Sequence, residues 1–156
     1  MSRDLDRIDE RILTELEANA RLSIVELAAR VNLTNTPCSE RVKRLEKSGY
    51  IRRYKAVLDM NRLGLGHMTV VQVSLAATND NYLDEFNQAV RNIKEIESCL
   101  MVAGSFDYML TVRTRDMAHY REVLGERITK LPGIKQTNSF AVMEVVKQES
   151  YFSTAG

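Results

Sequence analysis

Apolar positions in the first third of the chain recur every three or four residues. Leu5, Ile8, Ile12 and Leu16 form one stripe, widened by Leu13, which is the spacing of an amphipathic helix. Asp4 is placed to cap it, and Asp6 and Asp9 suit the positive end of its dipole. A second helix opens at Ser23-Ile24-Val25-Glu26, where a serine hydroxyl and a glutamate three residues on can satisfy two backbone amides reciprocally. Leu27, Ala28 and Val31 form its narrow apolar face. Asn32 then tolerates left-handed backbone, and Leu33 plugs the turn. Thr34 can cap a third helix, with Pro37 in the first turn, where a missing amide proton costs nothing. Cys38, Val42 and Leu45 are its buried stripe, which leaves Ser39, Glu40, Arg41, Lys43, Arg44 and Lys47 facing outward. Gly49 ends this helix, and Tyr50 to Leu58 has strand character suited to a wing or connecting strand.

After Gly64 and Gly66 the period changes. Met68 to Leu75 alternates, with Val71, Val73 and Leu75 on one face, as a half-buried strand does. Asn79-Asp80-Asn81 starts a helix carrying Leu83, Phe86, Val90 and Ile93. Glu97 to Ala103 and Tyr108 to Thr114 read as strands around the turn Gly104-Ser105-Phe106-Asp107. Asp116 caps a helix carrying Met117, Tyr120, Val123, Leu124, Ile128 and Leu131, and Pro132-Gly133 terminates it. Ile134 to Val146 reads as a long final strand. The order β-α-β-β-α-β is the ferredoxin-like split motif. The expected architecture is therefore α+β: a winged helix-turn-helix over 1–50, a connecting segment over 51–64 and a ferredoxin-like domain over 65–156. Helices cover one face of such a sheet. Val70, Val102 and Met109 on the other argue for burial against a second subunit.

Composition narrows the function classes. At 44% apolar and 28% charged residues in 156, the chain has enough apolar surface for a core. It contains no run of about 18 apolar residues that would span a membrane. The first residues lack the apolar stretch of a secretory signal, so a cytoplasmic protein is expected. Cys38 and Cys99 lie far apart and His67 and His119 are the only histidines. Neither a disulfide framework nor a zinc site is expected, and no arrangement of nucleophile and base is legible.

The net charge of +1 conceals a gradient: −3 over residues 1–29, +6 over 30–55 and −2 over 56–156. The basic block falls on the third helix and the segment after it. A helix fits the major groove, arginine and lysine neutralise phosphates, and polar side chains in the first turn meet base edges. The same scaffold also serves protein–protein contacts; the position of the block favours DNA. The expected DNA-contact set is Ser23, Asn35, Thr36, Pro37, Ser39, Glu40, Arg41, Lys43, Arg44, Arg53 and Lys55.

Four stretches carry a resemblance to a known family. They are Leu5-Asp6-Arg7-Ile8-Asp9 with Ile12-Leu13; Leu33 to Glu46, including Thr36-Pro37-Cys38 and Glu40-Arg41-Val42-Lys43-Arg44-Leu45-Glu46, with Gly49-Tyr50-Ile51; Gly104 to Tyr108; and Leu131-Pro132-Gly133 with Met143-Glu144. They span nearly the whole chain, and it resembles the Lrp/AsnC (feast/famine) transcriptional regulators, nearest their leucine-responsive branch. The resemblance implies a sequence-specific DNA-binding regulator, not an enzyme, that forms homodimers and often octamers. It implies no cofactor and a small effector, usually an amino acid, held near the turn matching Gly104 to Tyr108. The expected effector set is Val102, Gly104, Ser105, Phe106, Asp107, Tyr108, Thr137 and Ser139. A zwitterion needs donors for its carboxylate and acceptors for its ammonium; Gly104 admits close backbone approach, Asp107 offers an acceptor, and Thr137 and Ser139 offer hydroxyls. Many members carry an acid where this chain has Ser105, so this loop is less negative. Two alternatives stay open on sequence: an architectural DNA-organising protein of the same fold, and a small ferredoxin-like enzyme using Tyr108, Asp107 or His119.

Overall fold

A computed structural model describes residues 5–78 and 80–148. Asp4 and Asn79, expected at two helix starts, lie outside them, as do the residues from 149 on. The chain divides into two compact units, the first running through Val57 and the second from Leu58 to Val146.

The first unit holds α1 (Arg7–Ala18), α2 (Ile24–Arg30) and α3 (Asn35–Lys47). Asp6 caps α1: its Oδ1 accepts from the amides of Ile8 at 2.9 Å and Asp9 at 2.8 Å, and Asp9 returns the bond to the Asp6 amide. Ser23 and Glu26 form the expected reciprocal cap of α2. Asn32 sits at φ 57° between α2 and α3, and the Leu33 amide closes the turn on the Ala28 carbonyl at 2.9 Å. Ile12, Leu16, Leu27, Ala28, Val31, Cys38, Val42 and Leu45 form the core. Small Ala28 is 1% exposed, so α2 approaches its neighbours closely. At the end of α3, Gly49 at φ 80° takes the left-handed conformation that lets the chain leave the helix.

The expected strand over 50–58 does not form: residues 52–59 carry no regular structure. A strand is defined by a partner's ladder, and the described residues supply none there. Tyr54 instead donates its hydroxyl to Glu46 Oε1 at 2.9 Å, on α3.

The second unit is built on β1 (His67–Leu75), α4 (Asp80–Val90), β2 (Ile96–Met101), β3 (Tyr108–Thr114), α5 (Met117–Val123) running into a π-helical turn (Leu124–Ile128), and β4 (Ile134–Ala141). The four strands pair antiparallel in the order β2-β3-β1-β4, the order that the split motif requires. Val71, Val73, Leu75, Tyr108, Leu110 and Val112 meet Phe86, Val90, Tyr120, Val123 and Ile128 from the helices. Val70, Gln72, Met109 and Thr111 alternate onto the other face and stay half-exposed; Leu100 and Phe140, register partners of Met109 and Val70, are more than half exposed.

The final strand stops at Ala141 rather than Val146. Its partner β1 begins at His67, and the Val142 amide makes a last bond to the Met68 carbonyl at 2.9 Å. Beyond that point β1 has ended and the ladder with it. The helix expected from Asp116 through Leu131 is likewise shorter in its α-helical part, because the chain widens into the π-helical turn after Val123.

Candidate functional site

In the first unit, the buried stripe of α3 orients the helix, and its other sides divide into two functionally distinct surfaces. On one side stand Arg41 and Arg44. Arg41 Nη1 reaches α1, 2.6 Å from Asp6 Oδ2 and 2.8 Å from Asp9 Oδ1, and Arg44 Nη2 donates to Asp9 Oδ2. The Asp9 side chain is 0% exposed and Arg41 only 25% exposed. A buried carboxylate persists only where such partners satisfy it, so this cluster locks α3 against α1. The expectation that Arg41 faces outward is therefore corrected: its charge is spent on Asp6 and Asp9. Arg44 bonds Asp9 through one nitrogen, and its side chain is 57% exposed, so much of its guanidinium faces solvent.

The Asp9 amide, and after it the Arg41 guanidinium, hold the Asp6 carboxyl below its ordinary 3.8. A lowered folded value means that the stabilisation is complete above the unfolded value and is lost as pH falls through the folded one. We expect the first unit to lose stability on acidification below about pH 4. Thermal unfolding followed against pH checks this, and Asp6→Asn flattens part of the decline.

On the other side Asn35, Thr36, Glu40, Lys43 and Lys47 are exposed and Ser39 is half-buried. The exposed side chains of Arg53 and Lys55 follow in the irregular segment. Pro37, half-buried, occupies the first turn as expected. Thr34 holds the N-cap position of α3, but its side chain makes no cap bond. Ser23 is committed: its hydroxyl accepts from the Glu26 amide at 3.2 Å and contacts Glu26 Oε2 at 2.7 Å, so it acts first as a helix cap. An open groove runs between the start of α2 and this face of α3, and Ile24 and Val25 line it beside Asn35, Thr36, Ser39, Glu40 and Lys43. Ile24 and Val25 were not legible as site residues. The available signal was that Val25 lies off the apolar stripe of α2 yet is apolar.

In the second unit the turn after β2 is closed by the Val102 amide on the Asp107 carbonyl at 2.9 Å. Asp107 holds it against β1: its amide donates to the Val73 carbonyl at 2.9 Å, and its Oδ2 accepts from the Leu75 amide at 2.7 Å. Gly104 and Ser105 are exposed at the tip, with Val102 and Phe106 half-buried. Val73 pairs with Tyr108 on one side and Thr137 on the other, so the turn and β4 flank one end of β1, with β3 and β4 two strand spacings, about 10 Å, apart. A Cβ on Gly104 would meet nothing within 4 Å, so nothing else in the chain presses on this position.

One expected effector contact, Tyr108, is corrected, and the hydroxyl of another, exposed Ser139, is engaged within the chain. Tyr108 is 1% exposed and stacks on Phe86 with ring centroids 4.4 Å apart; it is a core residue, because alternation in β3 turns it toward α4. Ser139 also faces the helices, 2.5 Å from the Tyr120 hydroxyl. Burial pushes the Tyr120 hydroxyl above its usual range, which the Ser139 bond opposes in part, so the phenol stays neutral. Burial also raises both thiols, Cys38 in the helical core and Cys99 in β2, away from the reactive thiolate form. No group of three potential metal ligands occurs among the described residues.

Comparison with known proteins agrees with both halves. Residues 5–52 match the winged helix-turn-helix DNA-binding family model, and residues 68–152 the Lrp/AsnC ligand binding domain. The chain is 48% identical to a proline dehydrogenase transcriptional activator of Rhizobium radiobacter over 93% of both chains. It is 45% identical to the leucine-responsive regulatory protein of Escherichia coli K12 over 95% of this chain and 90% of the relative. Among solved structures, a transcriptional regulator of Neisseria meningitidis in complex with L-Met superposes with a TM-score of 0.90 at 30% identity, covering 97% of each chain. The chain belongs to the Lrp/AsnC family: it is a transcriptional regulator, not an enzyme, that joins a DNA-binding helix-turn-helix to a ligand-binding domain of ferredoxin-like topology.

Proposed function

We propose that the protein reads duplex DNA with the face of α3 bearing Asn35, Thr36, Ser39, Glu40, Lys43 and Lys47. Arg44, Arg53 and Lys55 supply phosphate contacts, and an amino acid bound at the Gly104 turn sets affinity or assembly. The observation that carries the DNA reading is the division of α3. Asp6 and Asp9 absorb Arg41 on one side, while the opposite side keeps its polar and cationic groups free of any α1 partner among the described residues. A helix fixed from behind presents its other face without reorganisation, which suits major-groove entry.

The effector reading rests on Gly104. Its backbone lies outside the left-handed region and a Cβ there would meet open space, so the chain's own packing does not demand glycine. A ligand or a second copy approaching the backbone does. The L-Met bound by the Neisseria relative supports an amino acid as the ligand class. Asp107 keeps Oδ1 as an acceptor for an ammonium group, since Oδ2 holds the turn. The half-exposed sheet face, with Leu100 and Phe140 uncovered, suits a homodimer, and closed rings of such dimers give the family's octamer. The protein acts in the cytoplasm, on the nucleoid.

Calorimetric titration of the full chain with the twenty amino acids tests the effector reading. We expect saturable heat from one or a few of them, and loss of that heat in Gly104→Val with an unchanged unfolding midpoint. Absence of heat from all twenty, or full binding by Gly104→Val, overturns it.

A further inference from the structure

The groove between α2 and α3 contains two residues that cannot hydrogen-bond a base. Val25 is 62% exposed at the second position of α2, and Ile24 beside it is half-buried. A lone exposed apolar residue is ordinary. These two instead lie in one concave groove, with Thr36, Ser39, Glu40 and Lys43 as its polar wall. Ile24 also packs against the helical core, which accounts for its side chain; Val25 at 62% exposure has no such role, and a β-branched residue is only a moderate helix former.

In the major groove a base pair offers one apolar group, the C5-methyl of a pyrimidine, present on thymine and on 5-methylcytosine. We propose that Val25, backed by Ile24, is a specificity-determining contact that reads a pyrimidine C5-methyl beside the bases met by α3. The proposal rests on α3 as the reading helix. Lys43, on the same groove, brings a cation to the flanking phosphate, so the apolar contact is seated by charge on one side and by the polar wall on the other. The hydroxyls of Thr36 and Ser39 and the carboxylate of Glu40 address the donors and acceptors of adjacent base edges, which leaves the methyl to Val25.

The test uses the full-length protein and a duplex enriched from a random pool. Each thymine is replaced in turn by deoxyuridine, which removes only the methyl. At one position per half-site we expect affinity to fall about four-fold, the ratio for burial of one methyl-sized group. In Val25→Ala that deoxyuridine effect disappears, while Val57→Ala, which alters an exposed residue distant in sequence from the groove, retains it. Where the critical pyrimidine is instead a cytosine whose 5-methylation raises parental affinity by the same factor, the methyl read is that of 5-methylcytosine, and Val25→Ala removes the gain. A flat series on an enriched duplex, or a methyl effect that survives Val25→Ala, overturns the proposal and leaves α3 as the reading helix. A pool that yields no enriched duplex overturns both.

Discussion

Replacing Arg41 and Arg44 together by alanine is expected to destabilise the first unit by about 3–5 kcal/mol, because it strands a buried carboxylate. Asp9 is 0% exposed, and both arginines approach it through guanidinium nitrogens. Removing the carboxylate instead is milder: in Asp9→Ala the half-exposed Arg44 turns to water and Arg41 keeps Asp6, so about 1–3 kcal/mol is expected, near the range for hydrogen bonds to charged groups. Adding Asp9→Leu to the double arginine variant removes the stranded charge and should restore at least half of the loss. Amide exchange across α1 and α3 measures this unit separately from the sheet, which a global unfolding midpoint does not. A double variant within about 1 kcal/mol of the parent contradicts the cluster's role. A practical consequence follows for DNA-binding assays. Weak binding by Arg41→Ala reports a displaced α3 and not a missing phosphate contact.

DNA affinity is expected to fall by about 10³- to 10⁵-fold between 50 and 200 mM salt, as it does for six to ten neutralised phosphates. Lys43, Arg44, Lys47, Arg52, Arg53 and Lys55 are all exposed. Three to five of them engaged in each subunit of a dimer reach that number. Lys43→Ala should lower the slope of log affinity against log salt by about one for each bound subunit. It should leave the unfolding of the first unit unchanged, since its side chain is exposed on α3. Titrations at four or more salt concentrations decide the matter. A parental slope near zero contradicts phosphate binding by this surface, and an unaltered slope in Lys43→Ala removes that residue from it.

Much of this is legible in the amino-acid sequence. The helices and strands followed from apolar spacing, since Ile12, Leu16, Leu27, Cys38, Val42 and Leu45 bury where the 3.6-residue period places them. The left-handed turn at Asn32 and the cap at Ser23 were equally local. What failed depended on partners distant in sequence. The strand over 50–58 has suitable residues and no ladder among the described residues, and β4 has suitable residues to Val146 but a partner that begins at His67.

The candidate sites divide the same way. That α3 is basic and outward on one side is a one-dimensional fact, visible in the charge of the segment and the stripe of the helix. Which cations are free is not, because Arg41 meets Asp9 across 32 positions of chain. The resemblance marks Tyr108 and Ser139 for the effector site, and strand alternation sends both toward the helices. Val25 acquired meaning only when α2 and α3 closed a groove around it. Local periodicity, capping and charge thus determined the elements, their order and the basic helix, because each depends on neighbours within about one or two helical turns. Only the tertiary structure decided which arginines are spent, which hydroxyls are committed and which apolar residue stands in the reading groove, because pairing and burial are properties of residues brought together from distant parts of the chain.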